Sequence, residues 1–178
     1  MIIVGLVIIV FLLCLFNIIK EKWYPIVIYS IAAGLLLQVT TYSNYLIGTD
    51  IHLEYYFVQL SYRNGWDPTL PLLNSSSLSL NVIAPWIAKL FNIELIWVLK
   101  AVYPLIFAFL PVILYYVFEK WVGGYRAFIS AFFFIIVPTF FMELTGVARE
   151  QIPEVLLACI LYLVLISNWR LRLKFPLV

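Results

Sequence analysis

Charge is scarce in this 178-residue chain: only 11% of its residues are Asp, Glu, Lys or Arg, against roughly a quarter in soluble domains. With 65% hydrophobic residues and a mean hydropathy of +1.07, a water-soluble fold is excluded. Cysteine is scarce as well. Cys14 and Cys159 both fall inside apolar runs, where small thiols are ordinary packing residues and imply no disulfide framework. Together with a single histidine, His52, this rules out Cys/His zinc spacing. Also missing are a Gly-rich nucleotide loop, a serine nucleophile elbow, an internal repeat, a coiled-coil heptad and a low-complexity tract. Aromatic residues are plentiful, at 18% with twelve Tyr and six Trp, which suits a chain with two membrane interfaces to line.

The apolar runs predict an all-α polytopic transmembrane bundle of about five spans. Ile2 to Ile19 is 18 uncharged residues, enough at about 1.5 Å per residue to cover a hydrocarbon core of ~30 Å. A cleaved signal peptide is disfavoured, since no basic residue precedes the run and Lys20, Glu21 and Lys22 follow it. The other expected spans are 25–47, 96–118 with Pro104 and Pro111 as tolerated kinks, 127–142, and 153–169. Threading them puts Lys20, Lys22, Lys120, Arg126, Arg170, Arg172 and Lys174 on one side with only Glu21 and Glu119. The positive-inside rule assigns that side to the cytoplasm. Asp50, Glu54, Asp67, Glu94, Glu143, Glu150 and Glu154 then lie outside with Arg63, Lys89, Lys100 and Arg149 as the only fixed positive charges, so the expected location is the cell membrane with loop 48–95 extracytoplasmic.

A connection of about 48 residues should carry structure of its own. From Asp50 to Arg63, Ile51, Tyr55, Val58 and Tyr62 form the stripe of an amphipathic helix. From Leu78 to Phe91, Val82, Ile83, Trp86, Ile87, Leu90 and Phe91 repeat the pattern around Pro85. Asn64-Gly65-Trp66-Asp67-Pro68 between them is turn-forming. Both helices are expected to lie along the membrane surface. Asn74-Ser75-Ser76 satisfies the glycosylation pattern.

Two polar clusters could carry chemistry. In Gly48-Thr49-Asp50-Ile51-His52-Leu53-Glu54, a helix sets Asp50 and Glu54 on one face. His52 points away from them on a helix and joins them on an extended segment. The structural alternative has Asp50 capping the helix and Glu54 solvated. In Arg149-Glu150-Gln151-Ile152-Pro153-Glu154, Arg149 can be a snorkelling anchor and Glu154 a partner of its helix dipole. That explains less well why Arg149, Glu150 and Glu154 gather at the mouth of a short apolar helix, where a charge facing lipid costs about 2.5 to 3.5 kcal/mol. No cofactor is required by these residues; Asp50 with His52 offers two ligands to a divalent metal.

The segments Gly48 to Tyr56, Asn74 to Pro85, Lys100 to Pro104 and Ala148 to Glu154 resemble the GT-C superfamily of membrane glycosyltransferases, in particular uncharacterised multi-spanning prokaryotic members. The resemblance covers roughly Gly48 to Leu165 and implies a sugar donor linked to polyprenyl phosphate. It gives Asp50 the part of the first-loop acid, acting as base or metal ligand, with Glu54 beside it. Arg149 would steady the lipid phosphate leaving group and Glu150 would orient it; His52 and Glu154 would bind substrate. Family members have about seven spans, so this chain resembles an amino-terminal piece. Expected partners are the lipid-linked donor and membrane lipids, with no nucleic acid. The competing expectation is a transporter or membrane-complex subunit fragment, in which the acids bind ions or a partner.

Overall fold

The computed structural model describes residues 2–16, 18–67 and 77–166, and regular structure among the described residues is entirely helical. α1 is Ile2–Leu15, and α2 is Tyr24–Thr41, entered through a 3-10 turn at Glu21–Trp23. α3 is Asp50–Asn64 and α4 Ser79–Phe91. α5 runs Leu95–Val122, α6 Gly124–Ile136, α7 Thr139–Gly146 and α8 Ala148–Ile166. Glu21–Thr41 and Leu95–Val122 are long and apolar enough to cross a membrane, and α6 with α7 makes a third candidate bent by 54°.

The expected spans shift at their ends for local reasons. The run 25–47 stays helical only to Thr41, where Thr41 turns its hydroxyl back onto the Leu37 carbonyl and Ser43 caps the Tyr45 amide. Side chains that bond their own backbone in this way favour helix ends. The run 96–118 lengthens to 95–122, ended by Gly123 at φ 82°. The expected fourth span, 127–142, is broken at Val137, which is extended (φ −66°, ψ 126°), the geometry that a following proline, here Pro138, favours. The fifth begins at Ala148 and not at Pro153. For the first, 2–19, the helix covers Ile2–Leu15. Asn74-Ser75-Ser76 and residues 167–178 lie outside the described residues.

Contacts define two ends of the bundle. At one, the Glu21 carboxylate lies so close over Gly124 that a Cβ there would meet it at 2.8 Å. Beside it Tyr115 donates to Glu119, and Lys120 Nζ reaches the Leu165 carbonyl at 2.8 Å. At the other end, Thr40 Oγ1 donates to the Lys100 carbonyl at 2.7 Å. Gly48, at φ 125°, packs so tightly on Gly146 that a Cβ would meet the Gly146 Cα at 3.0 Å. Only glycine tolerates that conformation and that approach together.

A first core joins α1, α2, α6, α7 and the later part of α5 through Tyr24, Phe107, Phe128, Phe132 and Phe140. A second core forms at the Gly48–Gly146 end, where Ile51 and Val58 of α3 meet Leu80, Ala84 and Ala88 of α4, Val98, Leu99 and Tyr103 of α5, and Ala148 and Ile152 of α8. α3 and α4 thus cap the start of α5 and α8. The expected α4 stripe divides: Ile87 faces this core, while Val82, Trp86, Leu90 and Phe91 face outward.

Candidate functional site

Two prolines prepare the capped end. Pro104 has no N–H to give the Lys100 carbonyl four residues back, and Pro153 none to give Arg149. Each carbonyl accepts a hydroxyl from another helix instead, Thr40 Oγ1 at 2.7 Å and Ser79 Oγ at 3.1 Å. Ser79 lies in a π-helical turn, Ser79–Ile83, and its own carbonyl accepts the buried Tyr103 hydroxyl. Ser61 donates to Asn81 Oδ1 and Asn81 Nδ2 to the Ser77 carbonyl. A polar layer therefore runs from α3 through α4 and α5 to the first turn of α8.

Glu54 is the centre of that layer. The buried face of α3 consists of Ile51, Glu54, Phe57 and Val58, so a carboxylate occupies the middle of an apolar stripe and is 0% exposed. Its partners come from α8. The first amides of a helix have no acceptor within it, and here Ala148 N–H donates to Glu54 Oε2 at 2.8 Å with Arg149 N–H at 3.4 Å. Arg149 Nη1 completes the set at 2.8 Å from Oε1. Burial pushes the Glu54 carboxyl upward from its ordinary value, opposed by Arg149 and the two amides.

Arg149 links this buried acid to an exposed one. Its Nη2 donates to Asp50 Oδ2 at 3.3 Å, across 99 positions of sequence, and the Asp50 side chain is 50% exposed. Glu150 stands 3.8 Å from Arg149 Nε. A cavity of about 360 Å³ opens at this point, lined by Ser77, Arg149, Glu150, Pro153, Glu154 and Leu157.

Of the six residues singled out in the sequence, Asp50, Glu54, Arg149 and Glu150 come together, and Glu154 joins Arg149 and Glu150 on the cavity wall. His52 does not: helical spacing turns it to the opposite side of α3, where it is exposed. No family model, curated protein or solved structure matches the chain.

The arrangement does not fit a divalent metal. Asp50 and Glu54 already flank a cation, the Arg149 guanidinium, and with His52 turned away no third ligand joins them; among the described residues no three His, Cys, Asp or Glu side chains are grouped for metal binding. What the cluster can do is present guanidinium N–H groups held rigid on one side by a buried carboxylate, next to an accessible carboxylate. That combination suits an anionic ligand and a proton acceptor side by side.

Sequence reasoning gave Ser79, Asn81 and Tyr103 no role of their own, although they fall within the segments that carry the resemblance. One signal was available: Pro153 in the second turn of a helix strands the Arg149 carbonyl and calls for an outside donor.

Proposed function

We propose that this is a multi-pass membrane protein whose extracytoplasmic face holds a GT-C-like glycosyl transfer site, taking its sugar from a polyprenyl-phosphate-linked donor. The observation that carries the reading is the Arg149 guanidinium shared between buried Glu54 and half-exposed Asp50 beside a cavity of about 360 Å³. In the reaction, an acceptor hydroxyl attacks the anomeric carbon while its proton passes to Asp50. The bond from that carbon to the lipid phosphate breaks, and the phosphate leaves with the electron pair. Arg149 stabilises the charge that gathers there. A single displacement of this kind inverts the anomeric centre.

Glu54 is a positioning residue, since its oxygens are committed to Arg149 and the first amides of α8. Glu150 steadies the guanidinium from the cavity side, and Glu154 faces the sugar hydroxyls. His52 has no place at this site.

The five-span topology and its orientation belong to the same proposal. Lys20, Lys22, Lys120 and Arg126 sit toward the Glu21–Gly124 end, and Arg63, Lys89, Lys100 and Arg149 sit at the capped end with Asp50, Glu54, Glu150 and Glu154. Arg170, Arg172 and Lys174, threaded by the sequence to the first side, tip the Lys and Arg count to seven against four, which supports a cytoplasmic first end and an outer second one. Val82, Trp86, Leu90 and Phe91, exposed along α4, suit a helix seated at the outer interface.

The test is transfer of labelled sugar from a polyprenyl-phosphate donor in membranes of the producing cell. Arg149→Lys keeps the charge but loses the paired donors that fit a phosphate, and we expect transfer to fall about 100- to 1,000-fold, as for other lost transition-state donors. Arg126→Gln, at the far end, should transfer normally. Undiminished transfer by Arg149→Lys would remove the leaving-group role.

A further inference from the structure

An apolar recess lies far from the polar layer, between α1 and α2. A trough of about 460 Å³ runs along Val7, Val10, Ile26, Val27, Ser30 and Gly34. A Cβ built on Gly34 meets nothing within 4 Å, so the trough is open there. It continues, through shared walls at Ile19, Ile26 and Val27, into a second recess of about 560 Å³ edged by Lys20, Lys22 and Trp23. The two recesses together form one slot with a cationic mouth and an apolar length.

The mouth has no acid of its own. Glu21, between the two lysines in sequence, turns to the other side and lies over Gly124 beside Tyr115. Among the described residues no carboxylate lies within ion-pair distance of Lys20 or Lys22. Lys22 Nζ stands 5.6 Å over the Trp23 ring, and Trp23 itself is half exposed, as expected of an indole at headgroup depth. The positive end of the α2 dipole lies at the same place.

From this geometry we infer that the α1–α2 slot binds one anionic phospholipid, with the headgroup phosphate between Lys20 and Lys22 and an acyl chain in the trough reaching to Gly34. A neutral lipid could fill the trough but would leave both ammonium groups without a counter-ion. Basic recesses between transmembrane helices on the cytoplasmic side are suited to anionic headgroups. The inference uses the membrane reading of the chain and is independent of sugar transfer.

The experiment places the purified chain in nanodiscs of phosphatidylcholine, with or without phosphatidylglycerol bearing brominated chains, and follows quenching of Trp23 as the difference between wild type and Trp23→Phe. Wild type should show more quenching by brominated phosphatidylglycerol than by brominated phosphatidylcholine. Lys20→Gln with Lys22→Gln should weaken that preference by about fivefold for each lysine. Gly34→Phe, which projects into open space and leaves the lysines intact, should release the chain from the trough and reduce quenching by both lipids. Equal quenching by the two lipids in wild type would overturn the inference. So would a preference that survives the lysine changes, or a Gly34→Phe variant that quenches like wild type, which would leave only surface attraction of headgroups.

Discussion

Glu54 and Asp50 are one helical turn apart and share a partner, yet they do different work because of burial. Glu54 receives three donors in a site closed to solvent, whereas Asp50 meets Arg149 in a half-exposed position. Replacing Glu54 by Gln keeps the shape but loses the charge that holds the guanidinium and the start of α8. Hydrogen bonds to charged groups contribute about 1.5–3 kcal/mol, so Glu54→Gln should lower stability by that amount. Asp50→Asn breaks an exposed pair and should cost about 0–1 kcal/mol. Thermal unfolding of the two variants in the same detergent checks the difference, and equal losses would contradict the separate roles. The pairing of Asp50 with Arg149 was legible, because two polar clusters at the mouths of apolar helices have few other places to converge. The burial of Glu54 was not. The expected stripe ran through Ile51, Tyr55, Val58 and Tyr62, and the docking of α8 selects instead the face of Ile51, Glu54, Phe57 and Val58, a choice made by tertiary packing that periodicity along α3 does not contain.

At the scale of elements, prolines set where helices meet. Pro153 strands the Arg149 carbonyl, and Ser79 reaches it from α4. Ser79→Ala should therefore cost about 0.5–1.5 kcal/mol. In a Pro153→Ala background the residue 153 amide can take that carbonyl, and the same Ser79 change should cost measurably less. A double-mutant cycle by thermal unfolding reads this coupling; additive costs would show that the hydroxyl does not replace the missing amide. The bounds of α3 and α4 were legible almost to the residue, Asp50 to Arg63 against Asp50–Asn64 and Leu78 to Phe91 against Ser79–Phe91, since turn residues and a 3.6-residue period mark both. The break at Val137 was within reach of the rule for residues before proline but was hidden by the continuous apolar run around it. The π-helical turns at Ser79–Ile83, Val98–Val102 and Thr139–Glu143 were not legible in the apolar pattern.

For the whole molecule, the proposed orientation rests on the Lys and Arg count along the sequence, seven on the first side against four on the second. If the capped end faces outward, a cysteine replacing Asp67 should react with a membrane-impermeant thiol reagent in intact cells. The Cys14→Ser, Cys159→Ser background removes the natural thiols. Labelling only after lysis would reverse the orientation and move the site to the cytoplasmic face. The helical class and the presence of helices long and apolar enough to cross a membrane were legible from the sequence, because uninterrupted apolar runs of this length satisfy their backbone in lipid as helices. Which polar groups share a layer was set by long-range packing of α3, α4 and α8.

The central claim is that Asp50 accepts a proton from the acceptor hydroxyl while Arg149 meets the lipid phosphate. The most direct measurement is the single-turnover rate of sugar transfer from a polyprenyl-phosphate donor by Asp50→Asn in membranes of the producing cell, with insertion verified by the Asp67→Cys labelling pattern. Asparagine nearly matches aspartate in shape but cannot take the proton, so the rate should fall about 100- to 10,000-fold with insertion unchanged. A rate within a few-fold of wild type would contradict it and leave Asp50 as no more than the first-turn acid of α3.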